Sequence, residues 1–325
     1  MNVLEIKNLK VVFPGPRGVI RAVEGLDLHI ARGECLALVG ESGCGKSVTS
    51  LALMKLLPDS AVARCDQHTI MDTDVRDYTE KQMETLRGSR ISIIFQDALS
   101  ALNPVMPIGK QIEEIYRCHT KMSRAEARKK AVAALASVGI PEPERRARDF
   151  PHELSGGMRQ RVLIAMAFAC DPDVIIADEP TTALDVTIQA QVLDLLSRLQ
   201  KERNTGLLLI THDLSVVRRM ADRIAVMYSG KIVEEAPADE LFRSPLHPYT
   251  RGLMASVATI GESQGSFVQI PGQLPNPADK PQGCYFAPRC SCVQACCGGK
   301  MPPLRDISPG RFVRCWETGG CCRGK

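Results

Sequence analysis

A glycine-rich motif near the N-terminus constrains the fold of this chain more than any other feature. It matches the pattern G-x-x-x-x-G-K-S/T and runs Gly40-Glu41-Ser42-Gly43-Cys44-Gly45-Lys46-Ser47. It follows an apolar segment, 34–39, that is typical of a buried strand, and it precedes a segment, 48–57, that can form a helix. The glycines let backbone N–H groups converge on phosphate oxygens at a helix N-terminus. The sequence therefore predicts a strand, a phosphate-binding loop and a helix in succession.

This phosphate loop, residues 40–47, also contains the polar side chains that a bound nucleotide needs. Lys46 is expected to contact the β- and γ-phosphates, and Ser47 to bind Mg²⁺. We predict nucleotide contacts for all eight residues of the loop and for Val48, which follows it. A chance glycine turn is the alternative interpretation, but the flanking strand and helix and the Lys-Ser pair argue against it.

Two adjacent carboxylates follow a second apolar segment, 174–177. Side chains alternate along a strand, so Asp178 and Glu179 are expected to face different ways at its carboxyl end. We assign Asp178 to the Mg²⁺ ion and Glu179 to the water that attacks the γ-phosphate. Two acids that cap a helix before Pro180 are the weaker alternative. With the phosphate loop, the pair predicts a hydrolase of Mg-ATP or Mg-GTP.

Strand and helix patterns alternate along the rest of the chain. Segments 91–95 and 207–210 are continuous apolar runs, typical of strands buried in a parallel sheet. Segment 187–200 has its apolar residues at helical spacing. Ser123 and Glu126 form a capping-box pattern that predicts the start of another helix. These elements predict an α/β fold with helices on both faces of a largely parallel sheet.

The order of these segments also predicts the domain organisation. A nucleotide-binding domain is expected over residues 1–260, with an inserted helical subdomain at about 97–160. The segment 270–283 contains four prolines and reads as a stiff linker. A linker and a small cysteine-rich domain are expected over residues 261–325.

Charge and hydropathy argue against two classes of protein. The chain has 41 Lys and Arg against 37 Asp and Glu, a net charge of +4, which is too balanced for the usual nucleic-acid-binding protein. No apolar run approaches the ~18 residues that a membrane span needs, and the first ten residues alternate like a strand rather than a signal segment. We therefore expect a soluble cytosolic protein.

A second glycine-containing helix start lies in the middle of the chain. Ser155, Gly156 and Gly157 precede the apolar segment 162–169, and such a helix N-terminus favours an anion. One nucleotide cannot use both this helix start and the phosphate loop unless two chains pair. The motif resembles the signature motif of ATP-binding cassette (ABC) ATPases, in which the signature helix of each subunit closes on the nucleotide of its partner. Its residues are Leu154-Ser155-Gly156-Gly157-Met158-Arg159-Gln160-Arg161.

The resemblance covers roughly residues 1–255 and implies roles for further residues. Gln96 is similar to the Q-loop glutamine that contacts the metal and the water, and Ala183-Leu184-Asp185 is similar to the D-loop. His212 resembles the switch histidine at the γ-phosphate, and Phe13 the aromatic residue that stacks on adenine. Each residue taken singly is more often an ordinary loop or core residue. The resemblance implies the P-loop NTPase (RecA-like) fold, with catalytic roles for Glu179, His212 and Gln96 and Mg²⁺ contacts for Ser47, Gln96 and Asp178.

Five further segments resemble the dipeptide, oligopeptide and nickel importer branch of this family. They are 95–104, 151–158, 246–250, 270–275 and 283–290. The resemblance implies an ATPase subunit that powers the uptake of di- or oligopeptides. The implied partners are a paralogous ATPase, two transmembrane permeases and an extracytoplasmic binding protein, with no nucleic acid. It also implies a peripheral position on the cytoplasmic face of the inner membrane.

Two other classes compete with an importer subunit. Soluble ABC ATPases that act on the ribosome generally have two cassettes in one chain, and those that act on DNA have a long coiled-coil insertion. This chain shows one cassette and no such insertion. A regulatory metal-sensing module is the second alternative. Cargo selection belongs to the binding protein and the permeases, so dipeptides, oligopeptides and nickel all remain open as cargo.

Cysteine is concentrated at the end of the chain, where eight of the 13 lie within the last 42 residues. Without a signal segment, such a cluster favours thiolate ligands for a metal over disulfides. The resemblance implies that Cys284, Cys290, Cys297 and Cys315 hold a 4Fe–4S cluster, with Zn²⁺ as the alternative. Cys292, Cys296, Cys321 and Cys322 exceed the four positions of the family, so the choice of ligands stays open. The absence of a C-x-x-C knuckle among these four favours iron–sulfur. Reduced thiols without a ligand are the third interpretation.

Cys44 lies inside the phosphate loop, at a predicted helix N-terminus. Such a position lowers the pKa of a thiol. We therefore expect alkylation of Cys44 to block nucleotide hydrolysis and bound ATP to protect the thiol. Simple space-filling is the alternative, and more common, reason for a residue of this size at the position.

Overall fold

The computed structural model describes residues 1–15, 18–182, 184–258 and 270–319. Ala183 of the predicted D-loop, Cys321, Cys322 and the predicted domain boundary at 260 lie outside these residues. Among the described residues the strands are β1 (Asn2–Gly15), β2 (Gly18–Ala31), β3 (Cys35–Val39), β4 (Val62–Arg64), β5 (Gln67–Ile70), β6 (Thr73–Asp74), β7 (Ile91–Ile94), β8 (Val174–Asp178), β9 (Gly206–Thr211), β10 (Arg223–Tyr228), β11 (Lys231–Pro237), β12 (Arg305–Ser308) and β13 (Arg311–Val313).

The helices of the described residues fall between and after these strands. They are α1 (Lys46–Leu53), α2 (Glu80–Leu86), α3 (Ala98–Ala101), α4 (Ile108–His119), α5 (Arg124–Ser137), α6 (Pro143–Arg146), α7 (Gly156–Ala167), α8 (Val186–Arg203), α9 (Leu214–Met220), α10 (Ala238–Arg243), α11 (Pro248–Ala258) and α12 (Ala295–Gly299). In the part of the chain that the structure describes, none of them is both long enough and apolar enough to cross a membrane.

The chain divides into two compact units. The first consists of Met1–Leu4, His29–Glu34 and Thr69–Ile210, and the second of Glu5–Leu28, Cys35–His68 and Thr211–Lys325. Both units contain residues from separate stretches of sequence, so neither corresponds to a single segment.

Parallel strands form the centre of the first unit, as the apolar runs predict. β8 pairs with β7 on one side and with β9 on the other, with Val174 opposite Ile91 and Gly206. Every residue of β8 and β9 is buried, which explains why these strands read as unbroken apolar runs rather than alternating ones.

Helices α3 to α6 of the first unit occupy most of the segment 97–160, between β7 and β8. Ser123 caps α5 as predicted, since its hydroxyl accepts a hydrogen bond from the Glu126 N–H and the Glu126 carboxylate accepts one from the Ser123 N–H. Helix α8 buries Val192, Leu196 and neighbouring leucines, in agreement with its apolar spacing. The Pro151–Glu153 turn then leads to α7.

The second unit combines a parallel pair with antiparallel strands. β3 and β10 are parallel, β10 and β11 antiparallel, and β13 adds to β11 with Val313 opposite Glu234. β12 pairs with β13. The cysteine-rich tail thus supplies two strands of this sheet, and its Phe286 and Tyr285 lie in the same apolar cluster as Tyr228 of β10. The tail is part of the core of this unit.

Candidate nucleotide site

The phosphate loop connects β3 to α1 in the second unit, as predicted. Gly43 and Gly45 have positive φ, +81° and +113°, a conformation that glycine adopts without the cost a side chain incurs. A Cβ on Gly45 would lie 2.7 Å from the Ala22 carbonyl oxygen, and one on Gly40 would lie 2.2 Å from the Met227 carbonyl oxygen. The glycines are therefore required by the backbone path and by its close approach to neighbouring strands.

The Lys46 amine lies inside this loop. Its Nζ donates hydrogen bonds to the carbonyl oxygens of Gly40, at 2.8 Å, and Glu41, at 3.1 Å, and the residue is buried. Ser42, Gly43 and Ser47 are exposed, and Val48 is half-buried. The loop therefore presents exposed backbone and hydroxyl groups around one enclosed cation, a donor set that fits a polyphosphate and its Mg²⁺.

The Glu179 carboxylate of the first unit is held by two side chains. Its Oε2 accepts a hydrogen bond from Gln96 Nε2 at 3.1 Å and another from the Thr182 hydroxyl at 2.9 Å. Its φ is +46°, in the left-handed region that a non-glycine residue adopts only at a cost. The Glu179 N–H is held by the Ile210 carbonyl at 2.8 Å. Gln96 and Glu179, predicted separately, are thus brought together in the first unit.

Asp178 ends β8 opposite Ile210 of β9 and is buried. Glu179 is half-buried and lies beyond the end of β8 with a left-handed φ, so the alternation of a strand does not set the direction of its side chain. Thr182 was not singled out from the sequence. A Thr three residues after an acid, in a turn, is too common a pattern to identify a hydrogen-bond partner by itself.

The second glycine-containing helix start also belongs to the first unit. Helix α7 begins at Gly156, as the Ser-Gly-Gly sequence predicts, and the Ser155 hydroxyl caps it by accepting a hydrogen bond from the Met158 N–H at 3.3 Å. Ser155 and Gly156 are exposed, so this helix N-terminus is open to solvent. A Cβ on Gly157 would lie 2.6 Å from Ile188 Cγ2, so this glycine allows α7 to pack closely on α8.

The remaining predicted nucleotide residues lie at the ends of secondary-structure elements. Asp185 precedes α8 and is exposed. His212 follows β9, in the second unit, and is also exposed. Phe13 lies near the end of β1, in the same unit as the phosphate loop, and is half-buried. The predicted residues are thus shared between the two units.

The expected lowering of the pKa of the Cys44 thiol is wrong. The residue is buried, and this burial raises the pKa of the thiol above its ordinary value, although the nearby Lys46 acts in the opposite direction. The argument from a helix N-terminus failed because desolvation of the thiolate outweighs it. Cys44 instead fills space under the loop, where a Cβ on Gly40 would lie 2.8 Å from its sulfur.

The structure does not support the predicted metal centre in the cysteine-rich tail. The four predicted ligands do line one cavity, together with Cys292, but that cavity has a volume of only about 20 Å³, room for about one water molecule. Within the described residues, no group of three or more His, Cys, Asp or Glu is arranged to hold a metal ion. Burial raises the pKa of Cys284 to about 11 and also raises that of Cys315, so both thiols are protonated near neutral pH in the protein as folded here. As folded here, these residues do not fit a cluster or a Zn²⁺ ion.

Comparison with protein families finds two matches along the chain. Residues 23–182 match the family described as ABC transporter, and residues 233–297 match the family described as the oligopeptide/dipeptide transporter C-terminal region. The second match includes part of the cysteine-rich tail, with three of the four predicted ligand positions.

Among similar proteins, the oligopeptide transport ATP-binding protein AppD of Bacillus subtilis (strain 168) is 48% identical, over 96% of this chain and 96% of its own length. The dipeptide transport ATP-binding protein DppD of the same organism is 45% identical, over 97% of this chain and 94% of its own length. The probable peptide ABC transporter ATP-binding protein y4tR of Sinorhizobium fredii (strain NBRC 101917 / NGR234) is 46% identical, over 97% and 95%.

Among solved structures, a similar one is the dimeric post-hydrolysis state of the ATP-binding cassette MJ0796 bound to ADP and Pi. It is 28% identical, has a TM-score of 0.64, and covers 72% of this chain and 98% of its own. The structure of cbiO1 from Clostridium perfringens, part of the transporter complex cbiONQ, is 28% identical, has a TM-score of 0.60, and covers 75% of this chain and 91% of its own. These matches confirm the α/β ATPase cassette fold that the sequence predicts.

The environment of Cys44 predicts how its thiol reacts. In the folded protein, we expect iodoacetamide to modify the exposed Cys118 about tenfold or more faster than Cys44, because the Cys44 thiol is buried and its raised pKa leaves little thiolate near neutral pH. Raising the pH should speed modification of Cys44, and unfolding should equalise the two rates. Peptide mass spectrometry over time measures both residues in one sample. Equal labelling of the two in folded protein would contradict the burial argument.

Proposed function

The chain belongs to the ATP-binding proteins of the ABC transporter family, in the oligopeptide and dipeptide branch, and we propose how its residues hydrolyse ATP to power peptide uptake. The observation that carries the proposal is the Glu179 carboxylate, which Gln96 and Thr182 hold from two sides. A carboxylate held in this way is suited to accept a proton from one particular water molecule.

The phosphate loop binds the triphosphate of ATP. Lys46 exchanges its carbonyl partners for phosphate oxygens, and the N–H groups around Gly43 and Gly45 donate to the same anion. Ser47, Asp178 and Gln96 hold the Mg²⁺, which when bound neutralises charge on the phosphates. Phe13 stacks on the adenine.

Glu179 acts on the water that attacks the γ-phosphate. The hydrogen bonds from Gln96 and Thr182 fix the direction of the carboxylate before substrate arrives, so that no reorganisation is needed during the reaction. His212 contacts the γ-phosphate. The products are ADP and phosphate.

Two chains enclose each nucleotide, in our proposal. The exposed N-terminus of α7, at Ser155 and Gly156, together with the exposed Asp185, supports this role, because these groups are available to a nucleotide held by a neighbouring subunit. The solved relative bound to ADP and Pi is described as dimeric. ATP binding closes the pair and hydrolysis reopens it, which drives transport.

The membrane partners follow from the branch to which the chain belongs. We propose that the second ATPase is a paralogue, and that two permease subunits and an extracytoplasmic binding protein complete the importer. The chain then lies peripherally on the cytoplasmic face of the inner membrane.

We also propose a division of the chain into two domains. The nucleotide-binding domain spans 1–260, with a helical subdomain at about 97–160, and the linker and tail span 261–325.

Variants of the proposed site separate ATP binding from hydrolysis. Glu179→Gln should leave the Kd for ATP unchanged and lower turnover by about 10²- to 10³-fold, as loss of a general base does. Thr182→Val removes one hydrogen bond to a charged group and should lower turnover about tenfold. Lys46→Ala should weaken binding itself.

The matched control for these variants is Thr85→Val. The Thr85 hydroxyl is exposed on α2 and bonds only locally, to the Gln82 carbonyl at 2.7 Å, so turnover should equal that of the parent. Phosphate release and equilibrium binding of ATP give the two readouts. Parental turnover of Glu179→Gln would show that Glu179 is not the base.

Affinity capture of the tagged full-length chain from its native membranes tests the proposed partners. We expect two hydrophobic permease subunits and one paralogous ATPase to copurify in equal amounts, as measured by quantitative mass spectrometry. Recovery of permeases with only this ATPase would replace the heterodimer by a homodimer. Absence of permeases from a capture that retains the ATPase would contradict the importer assembly.

Metal content is a separate proposal. A 4Fe–4S cluster on Cys284, Cys290, Cys297 and Cys315 would use four thiols that line one cavity, and it would require that cavity to open and the thiols to rearrange. Under anaerobic purification, the proposal expects about four iron and four sulfide per chain and visible absorbance. One Zn²⁺ per chain without absorbance would favour the alternative, and no metal at all would leave the reduced thiols seen here.

A further inference from the structure

The first turn of the phosphate loop is held by residues that lie more than 200 positions later in the chain. The Glu41 N–H donates a hydrogen bond to the Tyr249 hydroxyl at 2.9 Å. The Glu41 carboxylate accepts two from Arg289, at 2.9 and 3.1 Å. The third polar group of the residue, its carbonyl, accepts from Lys46. Every polar group of Glu41 therefore has a partner, and two of the partners belong to the C-terminal part of the second unit.

Arg289 uses its whole guanidinium group in this contact. Besides the two-pronged pair with Glu41, it donates to the carbonyls of Pro271, at 2.8 Å, and Ile270, at 3.2 Å, and to the Tyr228 hydroxyl at 3.4 Å. Its side chain is only 6% exposed. An arginine buried in this way, with a planar fork that matches a carboxylate, holds its partner in one orientation.

The segment that carries Arg289 is itself anchored in the core. Phe286, three residues earlier, packs against Tyr228 and Tyr249, with ring centroids 5.2 and 5.5 Å apart. Phe286 and Tyr249 are both buried. Because the same aromatic cluster supports both the Tyr249 hydroxyl and the Arg289 segment, the two groups that hold Glu41 cannot move independently.

We propose that Arg289 is a positioning residue for nucleotide binding, through which the cysteine-rich tail fixes the phosphate loop in the conformation that accepts ATP. The inference rests on the proposed function, since it requires that the loop binds ATP. The cost of ordering the loop is met during folding, by the Arg289–Glu41 pair, rather than at the moment of binding. Loss of the pair therefore weakens binding of ATP and leaves the chemical step unchanged.

The test compares two variants that break the same pair from opposite sides, Arg289→Ala and Glu41→Gln, in the full-length chain. Each should raise the Kd for mant-ATP in the presence of Mg²⁺ about five- to tenfold, and Arg289→Ala should keep turnover at saturating ATP within about twofold of the parent. The double variant should be no worse than either single variant, because both remove one interaction. Arg289→Lys, which retains the charge without the fork, should be intermediate.

The matched control is Arg305→Ala in the same tail. Arg305 stacks on Trp316, 5.2 Å from the ring centroid to the guanidinium carbon, so this variant should bind mant-ATP like the parent. If Arg289→Ala does not fold, as thermal unfolding would show, Glu41→Gln still carries the test, because it leaves the tail intact. An unchanged Kd in folded Arg289→Ala, whatever its turnover, would overturn the proposal.

Lys46→Ala separates this inference from the proposed function. Loss of mant-ATP binding in Lys46→Ala, with parental binding in both Arg289→Ala and Glu41→Gln, would refute the positioning role alone. Parental binding in Lys46→Ala would refute the phosphate-loop assignment, and the role of Arg289 would fall with it.

Discussion

The hydrogen bonds of the enclosed Lys46 amine are the interactions around which the phosphate loop is arranged. A buried ammonium must be surrounded by acceptors, and here carbonyl oxygens of Gly40 and Glu41 provide them. The backbone reaches that arrangement only through glycines, because side chains would collide with the neighbouring strands. These carbonyl oxygens bind Lys46 only until phosphate oxygens replace them. The turn at Glu41 is held by other residues, Tyr249 and Arg289.

Local pattern predicted the elements of the fold well. Continuous apolar runs identified β7, β8 and β9, and the Ser123 capping box identified the start of α5, because such elements depend on residues that are close in sequence. The order of the loop, the Gln96 position and the acid pair likewise indicated the family. Each of these features is a pattern of residues that are close in sequence, so the sequence alone is enough to identify it.

Contacts between residues that are far apart in sequence cannot be predicted from local patterns. Nothing near Arg289 signals that it meets Glu41, 248 positions earlier, and nothing near Thr182 singles out its hydroxyl as a partner of Glu179. The direction of the Cys44 pKa was wrong for a related reason, since the burial that raises it depends on the whole fold and a helix terminus does not. The four predicted tail cysteines do line one cavity, but its volume, about 20 Å³, depends on the packing of the tail and cannot be predicted from the sequence.

The pairing of β13 with β11 has a consequence for the integrity of the molecule. Phe312 and Val313 cover the outer strand of a sheet, and a polypeptide cut short before them would present bare N–H and C=O groups along β11 to other molecules. Such an uncovered edge recruits further strands and favours aggregation. The cysteine-rich tail therefore also covers this edge of the sheet. We expect proteolytic loss of the C-terminus to lower the solubility of the protein.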